Sequence, residues 1–291
     1  MPFTLAADVR ERPVAIDGAG TLGRRIASVF VAGGTDIRLH DVSSEQLEAC
    51  LRFVAESTET VQRVLDVHPP GGPGLCTAHA DLAEAVAGAW MVVESVPEDL
   101  ELKRRVMGQL DGLAESEAIV ASNSSSLPAS QMLDGVQHRW RVLNTHYQQP
   151  PELNAVELMS CGETDDGVIP ALMGKLPEYG LVPFWVRRES DGFILNRIWG
   201  SIKRECLMVV AEEVATPEDV DAMWSIFTIA GIPPFRLMDR VGLDVVLAIE
   251  EHYASVRPGL PDGPRRLLKE YIDRGRLGVK TDGGFYDYDH G

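Results

Sequence analysis

The chain has 291 residues, 45% of them hydrophobic, and 44 acidic against 27 basic side chains give it a formal charge of −17. That length suits two domains rather than one core, and the acidity argues against nucleic acid or an anionic membrane as a partner. A mean hydropathy of −0.05 is that of a soluble globular protein, and the longest apolar stretch, residues 85–93, is too short to span a bilayer.

Residues 1–13 carry two arginines and two acids but no apolar run, so no secretory or transit segment is expected there. Cys50, Cys76, Cys161 and Cys206 are scattered without a Cys-x-x-Cys pair. That argues against a zinc site or a disulfide framework and fits a reducing cytoplasm. Short apolar runs predict strands over 14–17, 36–40, 91–95, 118–122, 142–146, 156–159 and 182–186. Helical periodicity fills 24–32, 47–65, 100–113 and 168–179. The Pro/Gly-rich stretch 68–74 reads as a loop, because the alternation resumes after it. Such alternation implies a mainly parallel sheet covered on both faces, an α/β doubly wound (Rossmann) domain. The texture changes at Arg187-Arg188-Glu189-Ser190-Asp191-Gly192, beyond which only helical periodicity remains. One long amphipathic helix is expected over 193–214, and Thr216-Pro217-Glu218-Asp219 reads as an N-cap, an N1 proline and an acidic first turn. Helices over 220–229, 235–255 and 263–273 complete an all-α C-terminal domain, so the expected division is 1–188 and 189–291.

The most specific pattern follows the first strand, in Gly18-Ala19-Gly20-Thr21-Leu22-Gly23. Gly18 allows a tight turn, Gly20 lets the backbone approach a pyrophosphate, and Gly23 lets helix and strand pack closely. Around Thr21 and Leu22 the helix N-terminus offers its unpaired N–H groups to the anion. Asp41 stands 18 residues after Gly23, at the end of the second strand. It suits the adenosine ribose hydroxyls and repels a 2′-phosphate, so the pattern predicts NAD rather than NADP.

Two further clusters could carry chemistry. Ser122-Asn123-Ser124-Ser125-Ser126 sits at the C-terminal end of a strand, where doubly wound sheets place ligands, though alone it reads as a polar loop. His146 ends the next strand and Glu157 closes a following one. A histidine oriented by a carboxylate can take a hydroxyl proton at neutral pH, and a surface histidine on a loop is the bland alternative.

Order and context decide between these readings. The glycine loop is followed by Glu94-Ser95-Val96-Pro97-Glu98 leading to Lys103, then by the serine-rich loop. After these come His146 with Pro150-Pro151 and Val156-Glu157-Leu158, then Gly192-Phe193-Ile194-Leu195-Asn196-Arg197. Pro234-Phe235, Gly242-Leu243-Asp244 and the ending Gly283-Gly284-Phe285-Tyr286 complete the series. In this order the chain resembles the L-3-hydroxyacyl-CoA dehydrogenase family over nearly its whole length. The resemblance implies that Gly18, Gly20, Gly23 and Asp41 hold the adenosine half of NAD. Glu98 and Lys103 match cofactor-contacting positions, and Asn123 lies beside the nicotinamide. Ser125 and Asn196 would hydrogen-bond the substrate hydroxyl, with His146 as general base and Glu157 as its orienting partner. It also implies a homodimer formed through the helical domain and a role in fatty-acid metabolism; no metal is expected.

The chain departs from the family's pattern in places. His146-Tyr147-Gln148-Gln149-Pro150 stands where the family has a motif close to His-Phe-Phe-Asn-Pro, so Gln149 replaces the asparagine near the substrate. The spacing from His146 to Glu157 is one residue shorter than the common pattern, and the connection must close differently. Pro233 replaces a glycine before Pro234-Phe235. Residues 42–75 carry Glu45, Glu48, Glu56, Glu59 and Asp66 against Arg52 and Arg63, an unfavourable field for the CoA phosphates. The expected activity is NAD-dependent interconversion of an L-3-hydroxyacyl and a 3-ketoacyl group. Oxidation of a free small hydroxy acid, sugar-acid or carnitine-like, is the alternative within the same chemistry. A non-catalytic NAD-binding or crystallin-like structural protein is the alternative outside it.

Overall fold

The computed structural model describes residues 3–228 and 233–288, and the chain divides into two compact units, Met1–Ile194 and Leu195–Gly291. In the first unit eight strands form one sheet: β1 (Val14–Asp17), β2 (Ile37–His40), β3 (Cys76–His79), β4 (Met91–Glu94), β5 (Ile119–Ser122), β6 (Val142–Gln149), β7 (Leu153–Ser160) and β8 (Val182–Val186). Their spatial order is β3-β2-β1-β4-β5-β6-β7-β8. All neighbours are parallel except β6 and β7, which pair antiparallel. Helices α1 (Thr21–Ala32), α2 (Ser44–Leu65), α3 (Leu82–Val86), α4 (Leu100–Leu113) and α5 (Val168–Lys175) complete the unit. Chain order reverses between β1 and β4, and a crevice for a ligand opens at the carboxyl ends of strands that part in this way.

The central strands β1, β4 and β5 are buried at every position, as strands of a parallel sheet covered on both faces must be. Alternate residues feed two cores. Val14, Ile16, Met91, Val93 and Ile119 pack with Ile26, Phe30, Val54 and Tyr179, whereas Ala15, Val92 and Val120 pack with Val106, Met107 and Leu110 of α4. The largest rings interlock on the first side, with Phe30 4.6 Å from Tyr179 and 6.4 Å from Tyr147.

β3 and α3 are absent from the pattern of apolar runs, for physical reasons. β3 is an edge strand with Thr77 and Ala78 exposed, so it has no apolar face to advertise. α3 is a five-residue helix, and the apolar stretch 85–93 joins its end to β4 across Gly88, which has φ +71°. β6 and β7 are longer than their apolar cores, and their hairpin makes the sheet mixed.

The second unit contains helices α6 (Leu195–Ala211), α7 (Pro217–Thr228), α8 (Pro234–Val241), α9 (Leu243–Val256) and α10 (Gly263–Asp273). The single helix expected over 235–255 is two, broken at Gly242, whose φ of +101° ends α8. The expected end of α7 at Ile229 lies outside the described residues. Phe235, Met238, Leu243, Val246, Leu268 and Phe285 form this unit's core. Pro233 brings no side-chain cap to α8; Asp221 of α7 accepts the N–H groups of Phe235 (2.8 Å) and Arg236 (3.2 Å) instead. Among the described residues no helix is long and apolar enough to cross a membrane.

Candidate active site

The glycine loop connects β1 to α1 at the point where chain order reverses. Gly18 has φ +109°, and a side chain there would overlap the Ser95 carbonyl. A Cβ on Gly23 would collide with the Gly18 carbonyl, so this position holds helix and loop in contact. Gly20 is different: a Cβ there would meet nothing within 4 Å, and as N-cap of α1 it brings no side chain to the first-turn amides at Thr21 and Leu22. The open side of Gly20 and the uncapped helix terminus fit a pyrophosphate. At the end of β2 the Asp41 carboxylate accepts the Ala19 N–H (2.8 Å) and the Ser43 N–H (2.9 Å), which holds it at the loop. The nearby cations are engaged elsewhere: Arg38 donates to the Ala87 carbonyl at 2.6 Å, and Arg24 lies over the Phe53 ring.

Directly beneath this loop a polar row crosses the sheet. His40, Asp17, Glu94, Ser122 and Asn144 are register partners on adjacent strands. His40 Nδ1 and Asp17 Oδ1 are 2.6 Å apart, and burial pushes the Asp17 carboxyl up against the opposing pull of His40. Glu94 is completely buried. It accepts Lys103 Nζ (2.7 Å), the Ser122 hydroxyl (2.6 Å) and the Val96 N–H (2.8 Å), and burial still raises its carboxyl above the usual range. Lys103 donates also to the Val96 carbonyl and lies 3.2 Å from Glu98. Its ammonium is therefore enclosed by the protein's own oxygens. Burial pushes the Glu98 carboxyl up, but Lys103 and the Ser124 and Ser126 hydroxyls outweigh it and hold Glu98 below the usual range. Glu98 thus gathers the loop after β5, accepting from Ser124 Oγ (2.5 Å) and Ser126 Oγ (2.7 Å). Asn123 ties the loop after β5 to its neighbours: its Oδ1 accepts the Tyr147 N–H of β6 at 3.0 Å and its Nδ2 donates to Ser95 Oγ after β4. Ser125 lies exposed on the same loop.

His146 and Glu157 face each other directly across the β6–β7 hairpin. Neither ends its strand: both sit inside longer strands than the apolar runs suggest. Their side chains are buried, with Nδ1 2.8 Å from Glu157 Oε2. Gln148 shares the His146 face by strand alternation, and its Nε2 donates to Glu157 Oε2 at 3.0 Å. The other carboxylate oxygen accepts the Ile194 N–H at 2.7 Å. That amide is delivered by Gly192 (φ +73°) and Phe193 (φ +52°), and the Phe193 ring packs 5.1 Å from the imidazole. A left-handed phenylalanine costs on the order of 1–2 kcal/mol, which the contacts to His146 and Glu157 offset. With Nδ1 committed to Glu157, Nε2 is the nitrogen left for a ligand.

The first unit therefore brings together His146, Glu157 and Asn123, the last through the Tyr147 amide. Gln148 was not singled out by sequence reasoning, although alternation from His146 would have found it had the strand been extended by three residues. Gln149, expected near the substrate, is exposed. The pairing register slips by one between Tyr147 and Gln149, a bulge that lies on the turn side of His146, and His146 stands opposite Glu157. Asn196 occupies the first turn of α6 in the second unit.

Comparison with known proteins matches residues 13–189 to the NAD binding domain of 3-hydroxyacyl-CoA dehydrogenase and residues 192–288 to its C-terminal domain. A 5-formyl-3-hydroxy-2-methylpyridine 4-carboxylate 5-dehydrogenase of Mesorhizobium japonicum is 29% identical over 282 residues, covering 95% of this chain and 91% of that one. A 3-hydroxybutyryl-CoA dehydrogenase of Bradyrhizobium diazoefficiens is 29% identical over 283 residues, covering 95% of both. The crystal structure of (S)-3-hydroxybutyryl-CoA dehydrogenase from Ralstonia eutropha superposes with a TM-score of 0.84 at 27% identity, covering 96% of this chain and 99% of that one. With the glycine loop, the strand order and both domain matches in agreement, the chain belongs to the 3-hydroxyacyl-CoA dehydrogenase family and is an NAD-dependent oxidoreductase.

Proposed function

We propose that the protein oxidises the hydroxyl of an L-3-hydroxyacyl group to the ketone, and catalyses the reverse, with His146 as the proton-transferring group. The observation that carries this reading is the buried cross-strand contact of His146 with Glu157. Bound NAD supplies the hydride acceptor. His146 takes the hydroxyl proton at Nε2, and the imidazolium that results is stabilised by the Glu157 carboxylate on Nδ1. Gln148 and the Ile194 amide hold that carboxylate in place from its two oxygens. Ser125 and Asn196 are assigned to the substrate hydroxyl, and Asn123 to the nicotinamide side. Gly18, Gly20, Thr21, Leu22 and Gly23 are assigned to the pyrophosphate and Asp41 to the adenosine ribose. Glu98 and Lys103 shape the cofactor floor through the buried network rather than through a free ammonium. The second, helical unit is read as the substrate and homodimer domain, supported by the exposed apolar face of Met223, Ile226 and Phe227 on α7; the compartment is read as the cytoplasm.

Asp41 also sets the cofactor preference. NAD should be favoured over NADP at least about tenfold in kcat/KM, because a 2′-phosphate would meet a fixed carboxylate, and tenfold is only about 1.4 kcal/mol. Both cofactors with one substrate decide the matter; equal efficiency removes Asp41 from this role.

A free small hydroxy acid is the second reading, favoured by α2, whose acids outnumber its bases where a CoA polyanion would need cations. The relative from Mesorhizobium, named for a pyridine carboxylate, fits the same reading. Turnover of L-3-hydroxybutyryl-CoA and of its N-acetylcysteamine thioester, followed by nicotinamide absorbance, tests it. The two should differ by less than about tenfold in kcat/KM. A CoA advantage of hundreds-fold that fades as salt is raised would establish phosphate recognition and return the plain CoA reading.

A further inference from the structure

In β1, Val14, Ala15 and Ile16 are apolar and buried, and Asp17 alone brings a charge into the sheet, at 5% exposure. A parallel strand covered on both faces has no need of an acid there. Burial pushes the Asp17 carboxyl up, His40 pulls it down, and the charge of Asp41 adds to the push. For an acid held above its ordinary value, ionisation works against the folded state. Replacing a buried charged pair by apolar residues is often neutral or stabilising, so the fold alone does not account for this one. The nearby cations do not serve Asp17. Lys103 donates to Glu94, and Arg38, two residues back along β2, donates to the Ala87 carbonyl. Among the described residues, the side chain bonded to the Asp17 carboxylate is that of His40, at 2.6 Å.

The place of the pair gives it a use. Asp17 and His40 are the last register partners of β1 and β2, and two further links follow at once. The Gly18 N–H donates to the His40 carbonyl at 2.9 Å, and the Ala19 N–H donates to the Asp41 carboxylate at 2.8 Å. On the other side the Asp17 carbonyl accepts the Ser95 N–H at 2.7 Å. The middle of the loop is held less firmly, since a Cβ at Gly20 would meet nothing within 4 Å and α1 has no side-chain cap. The loop is therefore anchored from its first residues. We propose that Asp17 and His40 are positioning residues for NAD, a side-chain clamp between the ends of β1 and β2 that sets the Asp41 carboxylate against the Gly18 turn. This rests on the assignment of Asp41 to the adenosine ribose. Neither side chain of the clamp need touch the cofactor. It acts by holding the contacting groups in place beforehand, which lowers the ordering cost of binding.

NAD affinity, measured by calorimetry on the full chain, and thermal unfolding without NAD together test the clamp. Asp17→Ala should weaken NAD binding at least about tenfold. Asp17→Asn keeps an oxygen for the His40 Nδ1–H without the buried charge. It should bind NAD within about threefold of the parent and unfold at the same temperature or higher. Asp41→Ala should weaken NAD by itself, and adding Asp17→Ala to it should cost less than about threefold more, because the clamp acts through Asp41. If Asp17→Ala does not fold, His40→Leu removes the same link from β2 and must show the tenfold loss. Unchanged NAD affinity in these link-breaking variants overturns the proposal, as does a full tenfold loss on top of Asp41→Ala. So does a tenfold loss or a markedly lower unfolding temperature in Asp17→Asn, since either shows a charge kept for its own sake. Parental affinity in Asp41→Ala would remove the ribose assignment and the clamp with it. A loss in Asp41→Ala without one in Asp17→Ala removes the clamp alone.

Discussion

Replacing His146 by glutamine should lower kcat at least about 100-fold with NAD affinity nearly unchanged. Glutamine keeps a polar side chain that can still be held at Glu157, but it cannot accept a proton. The glycine loop and Asp41 lie on other elements, so cofactor binding measured by fluorescence titration is the internal control. Glu157→Gln should cost less, because the proton acceptor remains and only its orientation and the stabilisation of its charged form are weakened. Near parental turnover in His146→Gln would falsify the assignment of the base.

Lys103→Met should destabilise the first unit by about 3–5 kcal/mol at alkaline pH, the usual penalty for removing one partner of a buried ion pair. Glu94 would be left completely buried with hydroxyl and amide donors but no cation. Its carboxyl is already raised by burial. For an acid whose folded value lies above its unfolded one, stability is complete below the unfolded range and is lost as pH rises through the folded value. Losing Lys103 raises the folded value further, so the deficit of the variant should widen from about pH 5 to about pH 8. Urea unfolding at both values measures it. A loss independent of pH would mean that the lysine acts by packing alone.

Much of the dinucleotide loop is legible in sequence because its requirements are local. The conformation of Gly18, the contact under Gly23 and the open space at Gly20 concern residues within a few positions of one another or of the strand beside them, and the first two admit only glycine. The second unit's core helices are legible for a similar reason, since periodicity marks the face each buries. The break at Gly242 is less so, because apolar periodicity runs across it and only a left-handed residue stops the helix. The His146–Glu157 pair is a different case. His146, Gln148 and Glu157 meet through the register of an antiparallel hairpin inside an otherwise parallel arrangement, and polar residues at the strand ends hide how far β6 runs. Lys103 shows the same limit: its position in the chain says that a cation is present, and only the fold says that Glu94 and Glu98 enclose it.

The bulge between Tyr147 and Gln149 makes the hairpin behave as a vernier. A change of one residue in an antiparallel pair would ordinarily carry one strand's side chains to the opposite face, and Glu157 would leave the imidazole. Because the slip is taken up on the turn side of His146, the distal end of the hairpin can gain or lose a residue while His146 and Glu157 stay opposite each other. Loop length and the His146–Glu157 alignment are thereby uncoupled, so the segment around Pro150-Pro151 is free to be reshaped without moving the imidazole off its carboxylate.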